Sequence, residues 1–199
     1  MKHRHFIIHK PSGYLSQFTH QHRKRRNKKM LGDINDFPEG TMSIGRLDEN
    51  TEGLLLLTTD GKVSYEVRDN KIEKEYYVQL DGEINNESIA LLSDCPKITV
   101  KGKTFKPAPC KVERINPPLY LGDGHKIRDE RHGDTSWISI TISEGKNRQI
   151  RKMTAAVGFP TLRLVRIRIG NIFLGKLKSG EVQEVEDLLE LCFTTEPSI

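Results

Sequence analysis

Cysteine is scarce. Cys95, Cys110 and Cys192 are the only three among 199 residues, an odd number with neither close pairing nor metal-ligand spacing. That pattern excludes a disulfide framework and a zinc-ribbon site as the basis of the fold, and three reduced thiols are expected. Long apolar runs are missing as well. No stretch approaches the roughly 20 residues that cross a bilayer, and the opening MKHRHFIIHKP lacks the apolar core of a secretory signal, so a cytoplasmic protein is expected. Neither a dinucleotide fingerprint nor a phosphate-binding loop occurs. His3, His5, His9, His20, His22, His125 and His132 fall at no spacing that suits metal or acid–base chemistry, and most of them read as surface or nucleic-acid-contacting residues.

What is present is length and positive charge. A chain of 199 residues can bury a sizeable core without metals or cross-links. A formal net charge of +5 favours a polyanionic partner such as nucleic acid. Phe6–His9 reads as a strand ended by Pro11-Ser12-Gly13, and Gly53–Thr58 as a buried strand bounded by Asp60-Gly61. Lys74–Leu80 and Ser136–Ile142 alternate as strands do, with Trp137 assigned to the core. Helical spacing marks Asn86–Leu92, Val185–Leu191 and Asn147–Val157, the last stopped by Gly158-Phe159-Pro160. Leu162–Ile169 predicts a strand with Arg163, Arg166 and Arg168 making one face basic. Residues 20–29 carry six Lys or Arg and no apolar side chain, which predicts a solvated loop, and a polar loop spans 117–135. Without repeats or a Gly/Ser/Pro linker, this order predicts one α+β domain over 1–199, built on a mixed, largely antiparallel sheet flanked by helices, with two lobes around one cleft.

Three constellations carry chemistry. Gly45-Arg46-Leu47-Asp48-Glu49-Asn50-Thr51-Glu52-Gly53 is a polar loop with glycine at both ends, set against the strand Leu54–Leu57. A strand edge of this kind holds a carboxylate rigidly enough for catalysis; it equally suits an ordinary charged turn in which Asp48 bonds its own backbone. In Lys74-Glu75-Tyr76-Tyr77-Val78 the period of two puts the tyrosines on opposite faces. One of them could stack on a nucleobase, worth about 1–3 kcal/mol, or both could fill the strand. Glu144-Gly145-Lys146-Asn147-Arg148-Gln149-Ile150-Arg151-Lys152-Met153 is a strand-to-helix turn rich in cations, suited to phosphate or simply solvated.

Together, and in this order, the three segments resemble the pseudouridine synthases of the branch that modifies small- and large-subunit ribosomal RNA. The resemblance extends through His9-Lys10-Pro11, Gln17-Phe18-Thr19, Thr135-Ser136-Trp137 and Gly158–Leu164 to the large-subunit, type E subgroup, over roughly residues 5–185. As in that subgroup, no small RNA-binding domain of the S4 type is expected before the catalytic core.

The resemblance implies isomerisation of a uridine to pseudouridine in 23S ribosomal RNA, or in an assembly intermediate, by a monomer that needs no cofactor and no metal. It makes Asp48 the catalytic carboxylate, either adding to the sugar or removing the C2′ proton. Arg151 would be its charge-assisted partner, and Tyr76 would stack on the uracil and help remove the C5 proton. Ile150 would pack beside the base and Arg46 would act during base flipping. Arg23–Lys29, Arg148, Lys152 and Arg163 are candidates for phosphate contact. A non-catalytic ribosome-binding module and a nucleic-acid hydrolase are the competing classes; the first needs no acid–tyrosine–arginine set, and the second usually shows clustered carboxylates or histidines.

Overall fold

Strands dominate the chain in the computed structural model, which describes residues 2–19, 27–69, 72–122, 124 and 133–194. Arg23–Arg26 of the basic segment, His20, His22, His125 and His132 lie outside the described residues. In chain order the elements are β1 (His5–Lys10), β2 (Tyr14–Leu15), β3 (Lys29–Met30), β4 (Met42–Ile44), β5 (Glu52–Thr58), α1 (Gly61–Asp69), β6 (Lys74–Asp81) and α2 (Asn86–Ser93). They continue as β7 (Ile98–Val100), β8 (Lys103–Phe105), β9 (Lys111–Ile115), β10 (Thr135–Ile142), α3 (Gln149–Ala156), β11 (Thr161–Ile169), β12 (Ile172–Phe173), β13 (Val182–Val185) and α4 (Leu188–Phe193). The architecture is α+β and largely antiparallel, β2–β3 being a parallel pair. No described helix is long and apolar enough to cross a membrane.

The chain divides into two compact units, Met1–Ile72 with Arg166–Ile199, and Glu73–Val165. The second boundary falls inside β11, so that one strand contributes residues to both.

In the first unit β5 is the organising strand. Its apolar run is buried on both faces, with Leu54, Leu55, Leu56 and Leu57 all at 0% exposure, each contributing about 1.5–3 kcal/mol by leaving water. β1 pairs antiparallel along β5 from His5↔Thr58 to Lys10↔Gly53. β4 also pairs with Leu56–Thr58 and so must take the other edge. The second edge of β1 is closed by β13, where Arg4 and Glu184 form an exposed two-pronged pair at 2.7 Å. Phe6, Phe37 and Phe18 stack edge to face beside β1.

Two helices of this unit depart from the sequence expectation. α1 was not signalled, because Val63 and Val67 alone supply its buried apolar pair; Asp60, read as a turn residue, caps it by accepting from the Lys62 N–H at 2.8 Å. α4 begins at Leu188 rather than Val185, which belongs to β13. The cause is Asp187, whose carboxylate accepts from the N–H groups of Leu189 and Glu190, both at 2.9 Å.

The second unit is built on the antiparallel order β6–β10–β9. Alternation along β6 buries Tyr76, Val78 and Leu80 and leaves Glu75, Tyr77 and Gln79 half-buried, so the two tyrosines do face opposite ways. Trp137 is in the core at 8% exposure. α2 is capped by Asn85, which accepts from Ser88 N–H at 2.8 Å, and it lies against β9, while α3 lies against β7. β7 and β8 form a tight hairpin through Lys101 and Gly102, both at positive φ, as a two-residue turn of this hand requires.

The single basic face expected of β11 is not formed. Arg163 and Arg166 differ by an odd number of positions and so point to opposite sides of the strand, and both are buried, at 3% and 4% exposure. Each guanidinium is turned to backbone carbonyls within its own unit. All three cysteines are free thiols.

Candidate active site

In the first unit, β4 ends at Ile44, the chain turns at Gly45 with φ +72, and the loop carrying Asp48 leads into β5. Asp48 is half-buried and its two neighbours are fastened. Leu47, buried beneath the loop, donates its N–H to Ser16 Oγ at 3.0 Å, and the same hydroxyl donates back to the Leu47 carbonyl at 2.9 Å. On the other side, the Glu49 carbonyl accepts from the Gly13 N–H at 2.8 Å and from Lys10 Nζ at 3.3 Å. The Glu49 carboxylate pairs with Lys28 at 2.7 Å, and Thr51 N–H closes a turn onto the Asp48 carbonyl at 3.0 Å. A carboxylate bracketed in this way has little freedom left in its backbone, the condition that positioning catalysis requires. A loop held only by its own turn would need neither Ser16 nor Lys10.

Lys10 is the unforeseen member of this arrangement. It is 0% exposed, and its ammonium donates to the carbonyls of Pro11 at 2.8 Å, Tyr14 at 2.7 Å and Glu49 at 3.3 Å. Burial lowers its pKa to about 8, although the carboxylates of Glu52, Glu49 and Asp48 oppose the drop; Arg166 adds to it. A lysine closing a strand of otherwise apolar character, directly before Pro11, was the available signal, but its partners are backbone carbonyls and leave no mark in the sequence.

Gly53 sets how closely β5 and the Arg166 end of β11 approach. Its φ is +102, and a Cβ there would overlap the backbone of Arg166, so only glycine fits. Arg166 in turn donates from Nε to the Leu54 carbonyl at 2.7 Å. His5 and His9 fall outside the reading of most histidines as surface or nucleic-acid-contacting, since both are buried on β1: His5 shares a hydrogen bond with Thr58 Oγ1 at 2.9 Å, and His9 donates from Nδ1 to the Leu177 carbonyl at 2.8 Å. β1 is covered on both faces, which turns its polar side chains inward.

In the second unit, the turn before α3 is closed by Gln149, which accepts from the Lys146 N–H and donates to Glu144 Oε1, both at 3.0 Å. Arg148 precedes the helix at φ +51 and is exposed. Ile150 is buried at 4% and Tyr76 at 8% exposure. Arg151 is half-buried and donates from Nη1 to the Thr161 carbonyl at 3.3 Å, while Lys152 is half-buried. Arg163 donates from its two terminal nitrogens to the carbonyls of Gly122 at 2.7 Å and Leu121 at 3.3 Å. It is thus an anchor of residues 119–122. Of the residues singled out from sequence, Arg46, exposed, and Asp48 belong to the first unit; Tyr76, Arg148, Ile150, Arg151, Lys152 and Arg163 belong to the second.

The chain is similar to proteins named as pseudouridine synthases. A ribosomal large subunit pseudouridine synthase E of Vibrio parahaemolyticus is 38% identical over 182 residues, covering 90% of this chain and 73% of its own. The protein of the same name from Xanthomonas campestris pv. campestris is 36% identical over 177 residues, covering 88% of this chain and 91% of its own. A crystal structure of a pseudouridylate synthase, 27% identical, superposes with a TM-score of 0.71 over 92% of this chain and 70% of that one. The Asp48 loop, the Tyr76 strand and the Arg151 helix all lie within residues 4–156, the span that matches the profile of RNA pseudouridylate synthases, and the chain belongs to that family.

Proposed function

We propose that this enzyme converts one uridine of large-subunit, 23S ribosomal RNA to pseudouridine, with Asp48 as its catalytic carboxylate. The observation that carries the assignment of Asp48 is its bracketing by fixed neighbours, Leu47 on Ser16 and Glu49 on Lys10 and Gly13. The choice of RNA rests on relatives named as large-subunit synthases.

The reaction breaks the bond from C1′ to N1, turns the uracil and rejoins it through C5. It is redox-neutral and consumes no phosphate, so the residues required are those that hold a base, a sugar and a charge. Turning a nucleotide out of a stack costs a few kcal/mol, which contacts to phosphates and to the flipped base must offset. In this proposal Asp48 acts at the sugar, by addition or by removing the C2′ proton. Arg151 supplies the compensating positive charge; Tyr76 stacks on the ring and assists loss of the C5 proton. Ile150 lines the base. Arg46, Arg148 and Lys152 meet RNA, and Arg163 contributes by holding residues 119–122.

The test is to map pseudouridines across ribosomal RNA in cells lacking this protein and in the same cells supplied with wild-type or Asp48→Asn protein. One large-subunit pseudouridine should vanish and return only with the wild type. Its return with a folded Asp48→Asn protein would overturn the role of Asp48, and an unchanged large-subunit map would overturn the substrate.

A further inference from the structure

The second unit contains a pair of thiols that pseudouridine formation does not use. Cys95 and Cys110 are fifteen positions apart in sequence, yet their sulfurs lie 3.2 Å from one another, the Cys95 thiol donating to Cys110 Sγ. The Cys110 thiol donates onward to the Leu92 carbonyl at 3.4 Å. The backbones are fastened too: Cys110 N–H donates to the Ser93 carbonyl at 3.1 Å and Cys95 N–H to the Leu92 carbonyl at 3.0 Å. A disulfide needs about 2.05 Å between sulfurs, so roughly 1 Å of approach separates the thiols from a bond.

A second observation singles out Cys95. It follows Asp94, the C-cap of α2, and has φ +60. That is the left-handed position past a helix end where glycine is the usual residue, because a Cβ is strained there. A cysteine accepts that strain here and aims its sulfur at Cys110. The two differ in access as well: Cys95 is 0% exposed, whereas Cys110 is partly open.

We propose that Cys95 and Cys110 form a modification site for low-molecular-weight disulfides, which enter at Cys110 and leave the pair joined as an intrachain disulfide. The Cys110 thiolate attacks one sulfur of the small disulfide and expels one small thiolate, which takes up the proton that Cys110 lost. The Cys95 thiolate then attacks the Cys110 sulfur of the mixed disulfide and expels the second small thiolate, protonated in the same way. Two protein thiols are oxidised by two electrons, one small disulfide is reduced to two thiols, and nothing else is consumed. Burial raises the pKa of both thiols, so the thiolate is scarce at neutral pH and the reaction should quicken about tenfold per pH unit between 7 and 9. The new bond closes a loop around the β7–β8 hairpin, against which α3 packs, and so stiffens the support of the helix that carries Arg151.

The probe is oxidised glutathione, added to the native full chain, followed by alkylation of remaining thiols, digestion and mass spectrometry. The wild type should lose two thiols, carry no glutathione at the end and yield a peptide joining Cys95 to Cys110, with Cys192 still alkylated. Cys95→Gly suits the left-handed position and keeps the fold; it should stop at a stable glutathione adduct on Cys110. Cys110→Ser should leave Cys95 a free thiol. A stable glutathione adduct on wild-type Cys110 beside an unreacted Cys95 would overturn the proposal. So would a wild type that keeps all its thiols at pH 9.

Discussion

Removing the charge from Lys10 should disable the loop it holds, and pH is the mildest way to remove it. The ammonium has three N–H donors and makes three bonds, to the carbonyls of Pro11, Tyr14 and Glu49. A neutral amine has two donors, so deprotonation must release one acceptor, and the Glu49 bond, at 3.3 Å, is the longest. That is the bond beside Asp48. With a pKa of about 8, about nine-tenths of the lysine is charged at pH 7 and about one-tenth at pH 9, so single-turnover kcat/KM should fall up to about tenfold over that interval. Lys10→Met should be slower at pH 7 and flat across the same range, whereas any alkaline limb arising in the RNA would survive the substitution.

Stability gives a second readout of the same group. The folded pKa lies below the value of 10.5 for the free side chain, so between pH 8 and 10.5 the unfolded chain binds more protons and folding gains as pH rises. The penalty for the buried charge is fully present below pH 8 and is relieved through that window, a change of about 3 kcal/mol for a displacement of this size. Denaturant titrations should therefore show wild-type stability rising relative to Lys10→Met by that amount. A wild-type rate profile without a limb between pH 7 and 9, or the same limb in Lys10→Met, would refute the role assigned to the ammonium.

Two further expectations concern other parts of the molecule. Gly53→Ala forces a Cβ into the Arg166 backbone at a φ of +102 and should destabilise the protein by about 3 kcal/mol, measured as a shift in urea midpoint at unchanged m-value. Arg148→Gln and Lys152→Gln should each lower the slope of log affinity for RNA against log salt by about 0.7–0.9, while Arg151→Met should lower the single-turnover rate by orders of magnitude with no comparable change in slope.

The parts of the fold that were legible in sequence are those where one physical rule decides. Four consecutive leucines from Leu54 to Leu57 can only be buried, and the alternation through Tyr76, Val78 and Leu80 can only be a half-buried strand. α1 escaped notice because two valines make a weak pattern, and the start of α4 because the Asp187 cap competes with the strand pairing of Val185. The site was legible only in part for a different reason. Chemistry-bearing side chains such as Asp48 and Arg151 stand out as residue types, whereas the backbone carbonyls that engage Lys10 and Arg163 are the same at every position. That is why Arg163 and Arg166 read as a basic face and prove to be internal fasteners. The juxtaposition of Cys95 and Cys110 likewise depends on a hairpin returning the chain, which residue spacing does not reveal.

The pairing of β1 with β13 also dictates an order of events during synthesis. His5–Ile8 leave the ribosome well before their antiparallel partners Val182–Val185. Until the latter emerge, one edge of β1 presents unpaired N–H and C=O groups on a strand whose side chains are all destined for the interior, the kind of edge that other chains can join. Contacts so distant in sequence are also slow to form, because the loop between them must close first. The first unit therefore cannot complete its sheet until β13 has been made, and the nascent chain carries an adhesive edge while the residues between the two strands are synthesised.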